Sequence, residues 1–184
     1  GSLLESMMPV VREVDKREGY AYGHLERMLK NVEALAKSFS MSEREIQQVK
    51  RAAILCNVGL LKVPAELLAQ RAPLTEDQRD LIREYPLHSA AAVRDIPFLE
   101  PSTRDILYHH ERYDGKGYPA GLAGDDIPLG ARIIFVAETF EALTSPRPYR
   151  SKVFPKKEAL EIIKKEAGKQ FDPLVVEHFL GQAA

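Results

Sequence analysis

Apolar residues recur along this chain at spacings of three and four rather than in strict alternation, which predicts an all-α fold. Residues 21–39 place Met28, Leu29, Val32, Leu35 and Ala36 on one stripe. Ser42 with Glu45 has the form of a capping box and opens a helix carrying Ile46, Val49, Ala53 and Ile54 towards Cys56. Thr75 with Gln78 repeats that signature ahead of a helix expected to run to about Arg94. Ser102 with Asp105, preceded by Pro101, opens another that ends near His110. Helices are also expected over 130–144 and after Pro155 and Pro173, because the first turn of a helix tolerates a missing N–H. An N-terminal helix over 3–17 carries a light apolar stripe, Leu4, Met7, Met8, Val11 and Val14, which suits a partner helix and hence a homodimer.

The segment Asp114 to Gly130, with five glycines and two prolines, cannot sustain a helix. A loop of this length inside a compact domain is uncommon and usually functional.

Composition narrows the function classes. With 184 residues and 45% hydrophobic content, one domain with a real core is expected. Lys plus Arg (26) nearly balances Asp plus Glu (27), so no general field draws DNA or an acidic membrane, and any anion contact must be local. A single cysteine, Cys56, excludes an internal disulfide, and no apolar run approaches the ~20 residues that span a bilayer. The chain thus reads as cytoplasmic. Gly1-Ser2 looks like a tag remnant, which points to a domain cut from a longer protein, with 1–18 as helix or linker and 19–184 as the domain proper.

His109-His110-Glu111-Arg112-Tyr113-Asp114-Gly115-Lys116-Gly117-Tyr118-Pro119 resembles the HHExxDGxGYP signature of the HD-GYP family, whose members are helical, metal-dependent cyclic di-GMP phosphodiesterases. Residues 136–150, VAETFEALTSPRPYR, are similar to the family's VADxxDALTSxRPYR, and Phe171-Asp172-Pro173 to its closing segment. The resemblance covers roughly residues 20–180 and implies that His24, His109, His110 and Glu138 stand at metal-ligand positions, Glu138 replacing an aspartate. It also implies losses. The HD pair itself is Cys56-Asn57, a later ligand histidine is Tyr85, the extra glutamate of trinuclear members is Tyr20, and the lysine near the phosphate is Leu60. Glu141 stands for the aspartate of DAL.

An asparagine cannot bridge two cations, because it offers one neutral oxygen where a carboxylate would separate two positive charges. The expected domain therefore lacks phosphodiesterase activity and signals by binding a protein partner or a cyclic dinucleotide. The alternative is a phosphohydrolase with a reduced site. His24, His109, His110 and Glu138 are read either as holders of one weak divalent ion (iron, manganese or zinc) or as hydrogen-bonded remnants with no metal. Cys56 reads chiefly as a small buried hydrophobe, and His88 and His178 as solvated helix residues. Arg147 and Arg150 either bind phosphate or cap the helix before them, and Tyr118 is either a recognition aromatic or an anchor for its loop. In the family this loop, here Gly117, Tyr118 and Pro119, contacts diguanylate cyclase domains.

Overall fold

The computed structural model describes residues 3–20, 23–146 and 152–183. Ten α-helices follow in order among them: α1 (Leu3–Glu18), α2 (His24–Ser38), α3 (Glu43–Leu55), α4 (Ala65–Leu68) and α5 (Glu76–Arg83), then α6 (Tyr85–Val93), α7 (Thr103–Tyr108), α8 (Leu129–Thr144), α9 (Lys156–Lys165) and α10 (Pro173–Ala183). Short 3-10 turns occupy Val58–Lys62, Glu100–Ser102 and Gly124–Asp126. No strand is formed by the described residues, whose one isolated β-bridge joins Ala167 to Phe171.

α8 runs through the middle, against α2, α7 and α9. Its sequence is apolar almost all round, and Ile133, Ile134, Val136 and Ala137 are wholly buried, as expected of a helix covered on every side. Val32, Leu35, Leu55 and Ile106 meet it from α2, α3 and α7. Each fully buried aliphatic side chain of this kind contributes roughly 1.5–3 kcal/mol. Both capping boxes that open α3 and α5 are formed, Ser42 with Glu45 and Thr75 with Gln78.

Two local expectations fail for identifiable reasons. The helix predicted to run to about Arg94 breaks at Glu84 into α5 and α6. Pro86 has no N–H to donate, and its ring clashes with the carbonyl four residues back, so the first helix stops and a second begins. The break makes Tyr85 the first residue of α6 and leaves it buried with Val14, Leu60, Val63 and Leu67. Nor does Ser102 form a capping box with Asp105. Its hydroxyl instead donates to the carbonyl of Gln48 at 2.8 Å, tying the start of α7 to α3.

The stripe on α1 is used within the chain. Val11 and Val14 are 3% and 1% exposed in its own core, with Leu4, Met7 and Met8 packed alongside.

Candidate functional site

α3 ends at Cys56, which caps it and is fully buried. The turn that follows lies hard against α6. A Cβ on Gly59 would collide with the backbone carbonyl of Tyr85, and the Gly59 N–H donates to Ser89 Oγ (2.8 Å), whose hydroxyl donates to the Cys56 carbonyl (2.7 Å). Only glycine allows this approach. It fixes Cys56 and Asn57 relative to α6 and so to Tyr85.

Asn57 reaches across to α8, where its Nδ2 donates to Glu138 Oε1 at 2.6 Å. The remaining oxygens of this pair, Asn57 Oδ1 and Glu138 Oε2, are buried without a hydrogen-bond partner. His109, wholly buried at the end of α7, has both ring nitrogens engaged: Nδ1 lies 2.6 Å from the Ile106 carbonyl and Nε2 2.8 Å from the Tyr85 hydroxyl. A carbonyl only accepts, so Nδ1 carries the proton and Nε2 accepts from Tyr85. Burial lowers the His109 pKa, in keeping with a neutral ring.

The ligand atoms of Cys56, His109 and Glu138 lie within 4.8 Å of one another, the one group of metal-ligating type among the described residues. His24 and His110 are outside it. His24 opens α2, stacks on Tyr20 (3.9 Å between centroids, 4° between planes) and places Nε2 3.5 Å from Asp15 Oδ1. Burial, helped by Arg27, lowers its pKa to about 4, and burial raises that of Asp15 to about 7. Burial therefore disfavours the charged form of both partners of this contact.

His110 stacks on Tyr118 (5.0 Å, 8°) and meets Phe135 at 5.1 Å. Burial, then His109, pushes its pKa well down. Glu138 and Tyr20 both line two spaces. On the His24 side, with Asp15, Asn57 and Glu141, the cavity is only about 10 Å³, room for about one water or ion. On the other side a cleft of about 330 Å³ is lined by Leu60, Ile82, Tyr85, His110 and Phe135, the size of a small-ligand pocket.

Glu111 is a residue that the sequence reading named within its motif and gave no role. Its buried carboxylate accepts from three backbone N–H groups, Ala120 (2.5 Å), Gly121 (3.1 Å) and Leu122 (3.0 Å), so it organises the loop that carries Tyr118. The available signal was an acid beside a glycine-rich run whose amides need acceptors. Gly117 has no room for a Cβ against the backbone of Arg112, and Arg83 lies over the Tyr118 ring at 5.8 Å. Glu141 is 3% exposed and accepts from Arg27 (3.3 Å) and Ser145 (3.1 Å). His88 is partly exposed at 3.9 Å from Glu84, while His178 stacks on Phe39 at 4.1 Å. Arg147 and Arg150 lie outside the described residues.

Among the described residues the helical bundle thus brings cysteine, histidine and carboxylate donors together from the ends of α3 and α7 and the middle of α8. The family model described as "HD domain" matches residues 10–175, and the chain belongs to that family. It is 35% identical over 178 residues to the cyclic di-GMP phosphodiesterase response regulator RpfG of Xanthomonas campestris pv. campestris, covering 96% of this chain and 47% of that protein. A cyclic di-GMP phosphodiesterase of Thermotoga maritima is 32% identical over 169 residues, 89% of this chain and 45% of its own. The chain thus spans less than half the length of these relatives. In fold it is similar to a cyclic GMP-AMP specific phosphodiesterase of V. cholerae (TM-score 0.77, 22% identity, 98% of this chain and 48% of that one). No helix of the described residues is long and apolar enough to cross a membrane.

Proposed function

We propose that this domain acts in cyclic-dinucleotide signalling by binding a nucleotide or a protein partner in the cytoplasm, without two-metal phosphodiester hydrolysis. The observation that carries the reading is the pair of internal donors at the site: Asn57 N–H on Glu138 Oε1 and Tyr85 O–H on His109 Nε2. Each donor hydrogen points its positive end at a lone pair that a cation would otherwise use. Two neighbouring dications would also lack a bridging carboxylate, since Asn57 supplies one neutral oxygen.

A single divalent ion does suit the residues present. Cys56, His109 and Glu138 are the donors that would hold it, and the unpartnered Glu138 Oε2 and Asn57 Oδ1 favour a positive charge nearby. When bound, such an ion supplies Lewis acidity and lowers the pKa of a coordinated water. The cleft beside it combines aromatic walls, Tyr85, His110 and Phe135, with space for a base. Arg147 and Arg150 are proposed to take the phosphates. Gly117, Tyr118 and Pro119, held by Glu111, form the face offered to a diguanylate cyclase domain or another signalling protein. Val11 and Val14 are spent inside the chain, so a homodimer through α1 would have to use its outer side, where Val10 is exposed.

The second reading is a metal-dependent phosphohydrolase acting on a cyclic dinucleotide or another phosphoester. It is favoured by the Cys56, His109 and Glu138 grouping and by the phosphodiesterase names of the relatives. Chromatography of cyclic di-GMP incubated with the protein and manganese or ferrous iron under anaerobic conditions separates the two. No linear dinucleotide or GMP above a metal-only control is expected. Turnover that His109→Ala abolishes would replace the binding reading by the phosphohydrolase.

A further inference from the structure

We propose that Cys56, His109 and Glu138 form a sulfur-containing site selective for one thiophilic divalent cation of the zinc class, and that Tyr85 competes with that cation for His109. The inference rests on the reading above that the site takes one ion at most, and adds which ion and what opposes it.

Charge and donor type point the same way. Cys56 and His109 are both fully buried, where an uncompensated cation is costly. A Cys56 thiolate and a Glu138 carboxylate together supply two negative charges, which balance one dication, and His109 adds a neutral nitrogen. On coordination the Cys56 proton leaves to solvent. Sulfur and imidazole donors select zinc-like ions, whereas manganese and magnesium prefer oxygen. Three protein donors leave the fourth position of a zinc site to a water, and Asn57 Oδ1, buried without a partner on a residue bonded to Glu138, adds a further negative partial charge nearby.

The tautomer of His109 is already the useful one. Its Nδ1–H is committed to the Ile106 carbonyl, the kind of support that metal-bound imidazoles use, which directs Nε2 outward as the ligand atom. That same lone pair now accepts from Tyr85 O–H at 2.8 Å, so an ion binds only by displacing the hydroxyl. Tyr85 is therefore a residue that weakens the site without being a ligand.

The test uses the whole chain, freed of metal and titrated with cobalt(II). A near-ultraviolet thiolate-to-cobalt charge-transfer band is expected, bleached by equimolar zinc and left unchanged by manganese. Tyr85→Phe is expected to tighten cobalt binding about fivefold, the worth of one neutral hydrogen bond. Cys56→Ser is expected to remove the band while circular dichroism stays helical. X-ray absorption on the zinc-loaded unmodified chain is a second measurement that needs no variant, with one sulfur expected at about 2.3 Å from zinc. Absence of that sulfur shell, or a band that survives in Cys56→Ser, overturns the site. Equal or weaker binding in Tyr85→Phe overturns the competition. Phosphodiester turnover would sink the binding-domain reading and leave the sulfur ligand untouched, so the two failures are distinguishable.

Discussion

Asn57 on the turn after α3 donates its amide hydrogen to Glu138 in the middle of α8 at 2.6 Å, across a separation of 81 residues. The bond clasps two elements of the site through an amide donor and a carboxylate acceptor. Its removal should therefore be felt as stability before it is felt as chemistry.

Asn57→Ala leaves the Glu138 carboxylate without its donor. A destabilisation of about 1–3 kcal/mol is expected, because a buried acceptor keeps its full desolvation cost once its partner is gone. Urea unfolding followed by circular dichroism measures it, and an unchanged midpoint would mean that water serves Glu138 equally well.

Gly59→Ala tests the packing that positions the same turn. Its Cβ would collide with backbone atoms of Tyr85 and Ser89, and backbone cannot yield as a flexible side chain does. A loss of roughly 1–3 kcal/mol is expected from overpacking, read as a lower urea midpoint.

Glu111→Ala should loosen the loop bearing Tyr118. Three backbone N–H groups lose one carboxylate, a cost of at least ~1.5 kcal/mol for bonds to a charged acceptor. Hydrogen-exchange mass spectrometry should show protection lost across 117–122 while α8 stays protected. Unaltered exchange there would remove Glu111 from this role.

Asp105 gives stability a pH dependence. It is 5% exposed, accepts from the Ala131 N–H at the start of α8, and is pushed up from its ordinary 3.8 to about 6, chiefly by burial. The folded state therefore binds its proton more tightly than the unfolded chain. Its contribution is fully present below about pH 4 and is lost as pH rises through about 6. Urea midpoints taken across that window should fall with rising pH in the unmodified chain and fall less in Asp105→Asn. An equal slope in both would assign the effect to other groups.

Arg147→Ala combined with Arg150→Ala should weaken cyclic di-GMP binding about tenfold or more, since charge-assisted bonds to phosphate are worth ~1.5–3 kcal/mol each. Calorimetry that finds binding unchanged in the double variant would leave the pair as a helix cap.

The helices that were legible from sequence are those whose signals are local. The stripe from Met28 to Ala36 and the capping boxes at Ser42 and Thr75 depend on residues three or four apart, and each is found as expected. The HHExxDGxGYP segment is likewise contiguous, so the family could be read directly from residues 109–119. Periodicity reports that a face is apolar but not what will cover it, which is why the stripe on α1 suggested a partner when Val11 and Val14 pack into the chain's own core. The break at Glu84 was visible as Pro86, but its consequence for Tyr85 was not.

The site divides in the same way. The resemblance to the HD-GYP family implied His24, His109, His110 and Glu138 as one ligand set. Only the packing of α3, α7 and α8 decides which donors meet. Cys56 joins His109 and Glu138, while His24 turns to Asp15 and Tyr20 and His110 stacks on Tyr118. A sequence states which atoms a residue can offer, but a ligand group needs those atoms within a few ångströms, and that distance is set by helices far apart in the chain.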